Sequence, residues 1–158
     1  INKPLREGRT PHPCPALVCQ LHNALAKLRS ANAAAPGEAC TLWRASRDFD
    51  LDHADSWPEF CERGGTDLGL LSASTERAVA QHFAAEIGAR VVLLFRIKVD
   101  EGSQRGSSLQ FCLAFPYEEE YVFPRGTYIR PTGVVEKKRG AGGIPIKIVE
   151  VEASFPSV

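Results

Sequence analysis

The sequence has no net charge, no long apolar run and no cysteine pattern typical of a metal site. Its 158 residues contain 19 lysines and arginines against 19 aspartates and glutamates. This balance argues against a dedicated nucleic-acid binder, whose surface is usually strongly basic. The longest aliphatic or aromatic run, residues 91–95, is far shorter than the roughly 20 residues that a membrane-spanning helix needs. The sequence therefore predicts neither a nucleic-acid partner nor a membrane segment.

The five cysteines are scattered along the chain. None forms a C-x-x-C pair and no histidine stands at ligand spacing, so we expect no zinc site. An odd count excludes complete intramolecular pairing. One or two disulfides and free thiols both remain open, and the cellular compartment is therefore unknown. The cysteines are Cys14, Cys19, Cys40, Cys61 and Cys112.

Length and composition predict a single globular domain. Hydrophobic residues make up 44% of the chain and charged residues 24%, which is average for folded proteins. Residues 1–13 are rich in proline and charge, and we interpret them as an N-terminal arm before a domain spanning residues 14–158. The chain begins at Ile1 with a polar stretch that has no apolar core. We therefore expect no signal peptide and a core excised from a longer protein.

Hydrophobic periodicity predicts helices early in the chain and strands late. Leucines at helical spacing indicate a helix over residues 15–35, and shorter helices are expected at 57–63 and 75–87. A short strand is expected at 40–45. The later strands are expected at 90–99, 109–114, 120–123, 127–129, 134–137 and 144–151. This order is typical of an α+β fold with a mainly antiparallel, two-sheet core.

The run 90–99 has a continuous apolar centre, which predicts a central strand. The glycine-rich run 140–143 lies between two predicted strands and lacks the Lys-Ser/Thr of a phosphate-binding loop. It therefore predicts a hairpin turn.

Three consecutive glutamates, Glu118, Glu119 and Glu120, lead into an apolar strand. Side chains alternate along an extended chain, so Glu118 and Glu120 share one face at a separation of roughly 6–7 Å. Two carboxylates placed together can stabilise a developing cation and accept a proton. A solvated loop is the alternative interpretation of such a cluster.

Three separated motifs place these glutamates in a wider pattern. The first is an arginine at the end of an early strand, Arg44. The second is the serine motif at residues 72–75, which is followed by a predicted helix. The third is the E-x-E sequence at 118–120, followed at 121–127 by an apolar triplet, a proline and Gly-Thr. In this order and spacing, across about residues 41–151, the chain resembles the R-S-E class of mono-ADP-ribosyltransferases.

That family includes cholera-toxin-like toxins, clostridial C2/C3-like toxins and eukaryotic ectoenzymes. The resemblance implies a split β-sandwich of two mainly antiparallel sheets with flanking N-terminal helices. It also implies an enzyme that cleaves NAD at the nicotinamide–ribose bond and transfers ADP-ribose to a protein acceptor with an exposed arginine. NAD is then a consumed substrate, and the resemblance implies neither a prosthetic group nor a metal.

The resemblance also assigns roles to individual residues. Glu120 would stabilise the ribosyl cation and bind the ribose 2′-hydroxyl, and Glu118 would orient and deprotonate the acceptor. Arg44 would hold the NAD diphosphate or the adjoining ribose. Ser72 would anchor Glu120 and the ribose, with support from Ser74.

The chain departs from the family pattern at two points, and the first motif has a second candidate arginine. Ala73 stands where the family usually has threonine, and Leu70 where it has an aromatic residue. Arg47 is an alternative candidate for the arginine of the first motif, although Arg44 fits the strand end better. Two alternatives therefore stay open: an NAD glycohydrolase, in which water takes the ribosyl group, and a degenerate module that binds a partner without catalysis. Glu118 favours a guanidinium acceptor over water.

Overall fold

The structure is a computed structural model that describes residues 1–33, 39–46, 56–85, 92–100, 104–112, 119–140 and 143–155. In these segments the chain forms four α-helices and eight β-strands. The helices are α1 (Asn2–Arg6), α2 (Pro15–Ala33), α3 (Ser56–Arg63) and α4 (Arg77–Ala85). The strands are β1 (Cys40–Ser46), β2 (Gly65–Asp67), β3 (Leu71–Ser74), β4 (Val92–Val99), β5 (Ser107–Ser108), β6 (Glu120–Phe123), β7 (Thr127–Arg139) and β8 (Pro145–Ser154).

Hydrogen bonds join the eight strands in the order β2-β7-β8-β4-β1-β3-β6-β5. Neighbouring strands are antiparallel except for β4 and β8, which are parallel. Strands β1 and β3 meet at a single residue pair, Trp43 with Ser74. The sheet therefore divides into a five-stranded part and a three-stranded part that are joined at one point. The predicted α+β class with mainly antiparallel strands is confirmed.

Strand β4 lies between β8 and β1, which confirms the prediction of a central strand. Its side chains alternate between two apolar clusters. Phe95 and Ile97 belong to the larger cluster, together with Leu42 and Phe123. Leu94, on the opposite face, belongs to the smaller one. Both faces of β4 are covered over residues 92–95, and all four of these positions are apolar.

Helix α2 begins at Pro15 as expected, since proline suits the first turn of a helix. The last two residues of the predicted helix, 34 and 35, lie outside the described residues. The helix is fixed beside the three-stranded part of the sheet. The Ser107 hydroxyl of β5 donates a 2.8 Å hydrogen bond to the carbonyl of Leu25, and the Arg29 guanidinium lies 4.3 Å from the Phe155 ring centroid.

The strand predicted at 109–114 is wrong. Residues Gln110–Cys112 form a 3-10 turn, closed by a 2.8 Å hydrogen bond from the Cys112 N–H to the Leu109 carbonyl. Phe111 is 72% exposed. Strand pairing with β6 is made instead by β5, two residues upstream. Residues 113 and 114 lie outside the described residues. An apolar pattern alone does not decide which residues find a strand partner.

The two strands predicted at 127–129 and 134–137 form one continuous strand, β7. Its pairing with β8 shifts register between Pro131 and Val135, and Gly133 has a φ of 92° there. Proline and glycine inside a strand are typical of a bulge. Farther along, the Gly140 N–H donates a 2.9 Å hydrogen bond to the Ile144 carbonyl. The predicted hairpin turn between the last two strands is therefore confirmed.

All five cysteines fall in described segments and are free thiols. Four of them are exposed and Cys40 is half-buried. None of the described helices is both long and apolar enough to cross a membrane.

We predict that Phe123→Ala lowers the free energy of unfolding by about 3–5 kcal/mol, because it empties a fully buried site. The Phe123 ring stacks on Phe155 with 5.9 Å between centroids. Phe111→Ala is the matched control and should change the free energy by no more than about 0.5 kcal/mol. Urea denaturation measures both. A larger loss for Phe111→Ala than for Phe123→Ala would contradict the assigned core.

Candidate active site

A cavity of about 1090 Å³ opens at the junction between the two parts of the sheet. Strands β1 and β3 pair only at Trp43 and Ser74, and residues 44–46 and 72–74 beside that pair line the cavity. Helix α1 and strands β2 and β6 contribute further wall residues. The polar side chains that matter below are Asn2, Arg6, Arg44, Asp67, Ser72 and Glu120.

Ser72 and Glu120 are joined by a direct hydrogen bond, in which the Ser72 hydroxyl donates to Oε1 of Glu120. The strand register explains this contact. Ser74 is the direct partner of Glu120 across the β3–β6 pair. Ser72 lies two residues from Ser74, so it projects from the same face and is a diagonal neighbour of Glu120. Both side chains are half-buried.

Arg44 reaches the same place from β1. Its Nη1 donates a 2.8 Å hydrogen bond to the main-chain carbonyl of Ser72. Its Nη2 lies 3.5 Å from Oδ2 of Asp67. The side chain is only 18% exposed, so its charge is compensated inside the cavity wall. The structure thus brings together Arg44, Ser72 and Glu120, three of the five residues selected from the sequence.

The other two selected residues have different outcomes. Ser74 is buried, and its hydroxyl accepts a 3.0 Å hydrogen bond from the Glu76 N–H at the entry to α4. This contact closes a local turn between β3 and α4, because Glu76 and not Ser74 holds the N-cap position of the helix that begins at Arg77. Glu118 lies outside the described residues, as does Arg47. Glu119 is bound by a different residue, because the Thr75 hydroxyl donates a 2.7 Å hydrogen bond to its Oε2.

Asp67 is a site residue that the sequence analysis missed. Its carboxylate accepts hydrogen bonds from Nε and Nη2 of Arg6, at 3.1 and 3.2 Å, and from the Gly69 N–H at 2.8 Å. Burial raises the pKa of Asp67, but the hydrogen bonds from Arg6 and Gly69 and the charge of Arg44 outweigh it and hold that pKa below its ordinary value. Asp67 is therefore an anion shared between two guanidinium groups.

The segment predicted as an arm supplies part of the cavity wall. Asn2 binds both main-chain groups of Leu70: its Nδ2 donates to the carbonyl at 3.2 Å, and its Oδ1 accepts from the N–H at 2.9 Å. Leu5 is buried at 6% exposure. Asn2 and Arg6 stand four residues apart and so share one face of α1. That spacing is visible in the sequence, but their partners lie more than 60 positions away. The domain boundary at residue 14 stays a prediction.

Across the described segments, no group of three or more His, Cys, Asp or Glu side chains is gathered as a metal site would require. The polar side chains that line the cavity include hydroxyl, amide, carboxylate and guanidinium groups. Such groups suit a ligand with phosphate and hydroxyl groups.

Comparisons with known proteins find matches in solved structures alone. No family profile and no curated protein matches the chain. HopU1, an ADP-ribosyltransferase of Pseudomonas syringae pv. Tomato DC3000, is similar with a TM-score of 0.63 and 19% identity over 96% of this chain. The chain spans 63% of the length of HopU1.

Two further structures are similar. Plx2a, an ADP-ribosyltransferase toxin from Paenibacillus larvae, has a TM-score of 0.63 at 17% identity, over 98% of this chain and 78% of its own. Exoenzyme S of Pseudomonas aeruginosa, in complex with human 14-3-3 protein beta and bound to carba-NAD, has a TM-score of 0.57 at 17% identity, over 94% of this chain and 64% of its own. The chain therefore has the ADP-ribosyltransferase-like fold. At these identities the likeness establishes the fold alone.

We predict that Asp67→Asn destabilises the protein at neutral pH and that the difference from the parent shrinks in acid. A carboxylate with a lowered folded-state pKa stabilises the fold above its unfolded-state pKa, near 3.8, and this contribution is lost as the pH falls through the folded-state pKa. The urea midpoints of both proteins, measured from pH 7 to pH 3, test this prediction. That interval includes the ordinary aspartate pKa of about 3.9. A difference that is constant across this range would contradict the shared ion pair.

Proposed function

We propose that this chain is a mono-ADP-ribosyltransferase of the R-S-E class, which cleaves NAD and transfers ADP-ribose to an arginine of a protein acceptor. The observation that carries the proposal is the hydrogen bond from Ser72 to Glu120 beside Arg44 in the cavity wall. The motifs that resemble the R-S-E pattern are far apart in the sequence, and their side chains meet on an ADP-ribosyltransferase-like fold.

The chemistry needs a fixed negative charge beside the breaking bond. Departure of nicotinamide leaves a ribosyl group with oxocarbenium character, as in glycoside cleavage generally. A carboxylate held in place stabilises that charge without reorganising during the reaction. Glu120 meets this requirement, because the Ser72 hydroxyl holds one of its oxygens. Its other oxygen is then the group that would bind the ribose 2′-hydroxyl.

Arg44 would bind the diphosphate end of the same substrate. A guanidinium forms paired, charge-assisted hydrogen bonds with phosphate oxygens. Arg44 is hydrogen-bonded to the carbonyl of the serine that orients Glu120. Substrate binding at Arg44 and catalysis at Glu120 would therefore be coupled through Ser72.

The size of the cavity and one similar structure support NAD as the substrate. A volume of about 1090 Å³ lies just above the roughly 300–1,000 Å³ that is usual for small-molecule sites. Exoenzyme S carries carba-NAD in its solved structure. We extend that ligand class to this chain because Arg44, Ser72 and Glu120 offer complementary groups.

Ala73 bears on the alternative of a degenerate binding module. It is buried at 3% exposure and belongs to the larger apolar cluster, so its methyl group packs in the core. Ser72 and Ser74 project from the other face of β3. The departure from the family pattern at Ala73 therefore removes no hydroxyl from the Ser72–Glu120 contact, and this supports a catalytic interpretation.

We predict that Glu120→Gln lowers the rate of nicotinamide release from NAD by about 10²–10³-fold, because it removes the charge that stabilises the transition state. Liquid chromatography of the reaction products measures this rate. Glu62→Gln, on the exposed side of α3, is the matched control and should leave the rate unchanged. Equal rates of nicotinamide release for the parent and for Glu120→Gln would contradict the catalytic proposal and favour the binding module.

Glu118 separates the transferase from the glycohydrolase alternative. We predict that the parent transfers label from NAD to a guanidinium acceptor such as agmatine or an arginine-containing protein. Glu118→Gln should lose most of this transfer while it keeps releasing nicotinamide, since Glu118 serves the acceptor and Glu120 serves the NAD bond. If the parent yields free ADP-ribose and no labelled acceptor, the protein is an NAD glycohydrolase.

A further inference from the structure

Glu119 has an unusual backbone conformation. Its φ of 37° lies in the left-handed region, and no other non-glycine residue in the described parts of the chain has a positive φ. The β-carbon of an L-residue crowds the neighbouring backbone there, so this region is unfavourable for most residues other than glycine. Such a conformation persists only where the surrounding structure holds it in place.

Thr75 supplies a contact that holds Glu119. Its hydroxyl donates a 2.7 Å hydrogen bond to Oε2 of Glu119. The register of β3 and β6 explains why the two residues meet. Ser74 ends β3 and pairs with Glu120, which begins β6, so the residues just beyond that pair, Thr75 and Glu119, stand opposite each other. A hydrogen bond accepted by a carboxylate is stronger than one between neutral groups, and it can offset an unfavourable backbone conformation.

The conformation of Glu119 controls where the Glu120 side chain points. Glu119 directly precedes β6, so its backbone dihedral angles set the direction in which the chain enters that strand. Glu120 must project from the face that carries Ser72 in order to accept the Ser72 hydrogen bond. Two hydroxyls therefore hold consecutive glutamates: Ser72 holds the side chain of Glu120, and Thr75 holds the residue that orients its backbone.

We propose that Thr75 is a positioning residue for Glu120. Its hydroxyl keeps Glu119 in the left-handed conformation, and that conformation directs the Glu120 carboxylate toward Ser72 and the cavity. The inference rests on the proposed function in that Glu120 is the catalytic carboxylate. Thr75 itself lies outside the cavity lining. It would therefore act on Glu120 through Glu119, without touching the substrate.

The alternative is that the Thr75–Glu119 hydrogen bond only stabilises a surface turn, and substitutions at residue 119 separate the two roles. Glu119→Ala and Glu119→Gly both remove the hydrogen bond, but only glycine adopts a positive φ without strain. Thr75→Val removes the hydroxyl at nearly constant shape, and Thr75→Ser keeps it. Thr41→Val, at an exposed position of β1, is the matched control.

We expect Thr75→Val and Glu119→Ala each to lower kcat for nicotinamide release about tenfold, with less than about a twofold change in the KM for NAD. The reason is that a misdirected Glu120 stabilises the transition state less while most substrate contacts remain. Glu119→Gly, alone or combined with Thr75→Val, should keep kcat within about threefold of the parent, because glycine needs no hydrogen bond to hold this conformation. Thr75→Ser should retain most of the activity, and Thr41→Val should match the parent. Steady-state kinetics measures both constants, and thermal unfolding shows that each variant is folded.

NMR measures the conformation of residue 119 independently of activity. The chemical shifts of its α- and β-carbons differ between left-handed and extended backbone. We expect these shifts to be left-handed in the parent and in Thr75→Ser, and to move toward extended values in Thr75→Val. Left-handed shifts that persist in Thr75→Val would overturn the inference, whether or not the parent releases nicotinamide.

Two kinetic results would overturn the inference while leaving the proposed function intact. One is a parental kcat in Thr75→Val when Glu120→Gln has lost activity. The other is an equal kcat for Glu119→Ala and Glu119→Gly, because the backbone conformation would then have no effect on the reaction. If the parent releases no nicotinamide from NAD, the proposed function fails, and the chemical shifts alone decide whether Thr75 holds Glu119.

Discussion

The pairing of β1 with β3 at one position, Trp43 with Ser74, is the constraint on which the rest of the structure depends. It is enough to join the two parts of the sheet, and because it is limited to one pair the cavity opens beside it. Arg44 stands next to this junction on one strand, and Ser72 stands near it on the other. A fully paired β1–β3 ladder would bring the two strands together along their length and leave less room for a ligand.

Charge compensation then holds the wall of that cavity together. Asp67 is partly buried, and a buried carboxylate is costly unless it is paired and hydrogen-bonded. Arg6, Arg44 and the Gly69 N–H satisfy it from three different parts of the chain. The same contacts tie α1 to β1 and β2. The stability of the cavity wall therefore depends on this one network, in which Asp67 is the shared partner.

Some elements could be predicted from the sequence because their signals are local. Helix α2 has a proline start and a leucine repeat, and the apolar run of β4 requires burial on both faces. The prediction of a strand at 109–114 was wrong because a strand needs a neighbouring strand to pair with. Strand β5 occupies the position beside β6. Proline and glycine in β7 marked a bulge that sequence alone could not distinguish from a break between two strands.

For the candidate site, the sequence by itself determined the residue types and their order: Arg44, then Ser72, then Glu120. Those three carry recognisable local motifs, and the order of motifs along a chain needs no tertiary information. The resemblance to the family implied that Ser72 anchors Glu120, and the β3–β6 register gives that contact its geometry. Only the tertiary structure decided that Ser74 bonds to the Glu76 N–H and that Arg6 and Asp67 belong to the same cavity. The physical reason is that strand register and the docking of α1 bring together groups that are 48 and 61 positions apart. Such contacts arise from the packing of the whole sheet, and no local pattern encodes them.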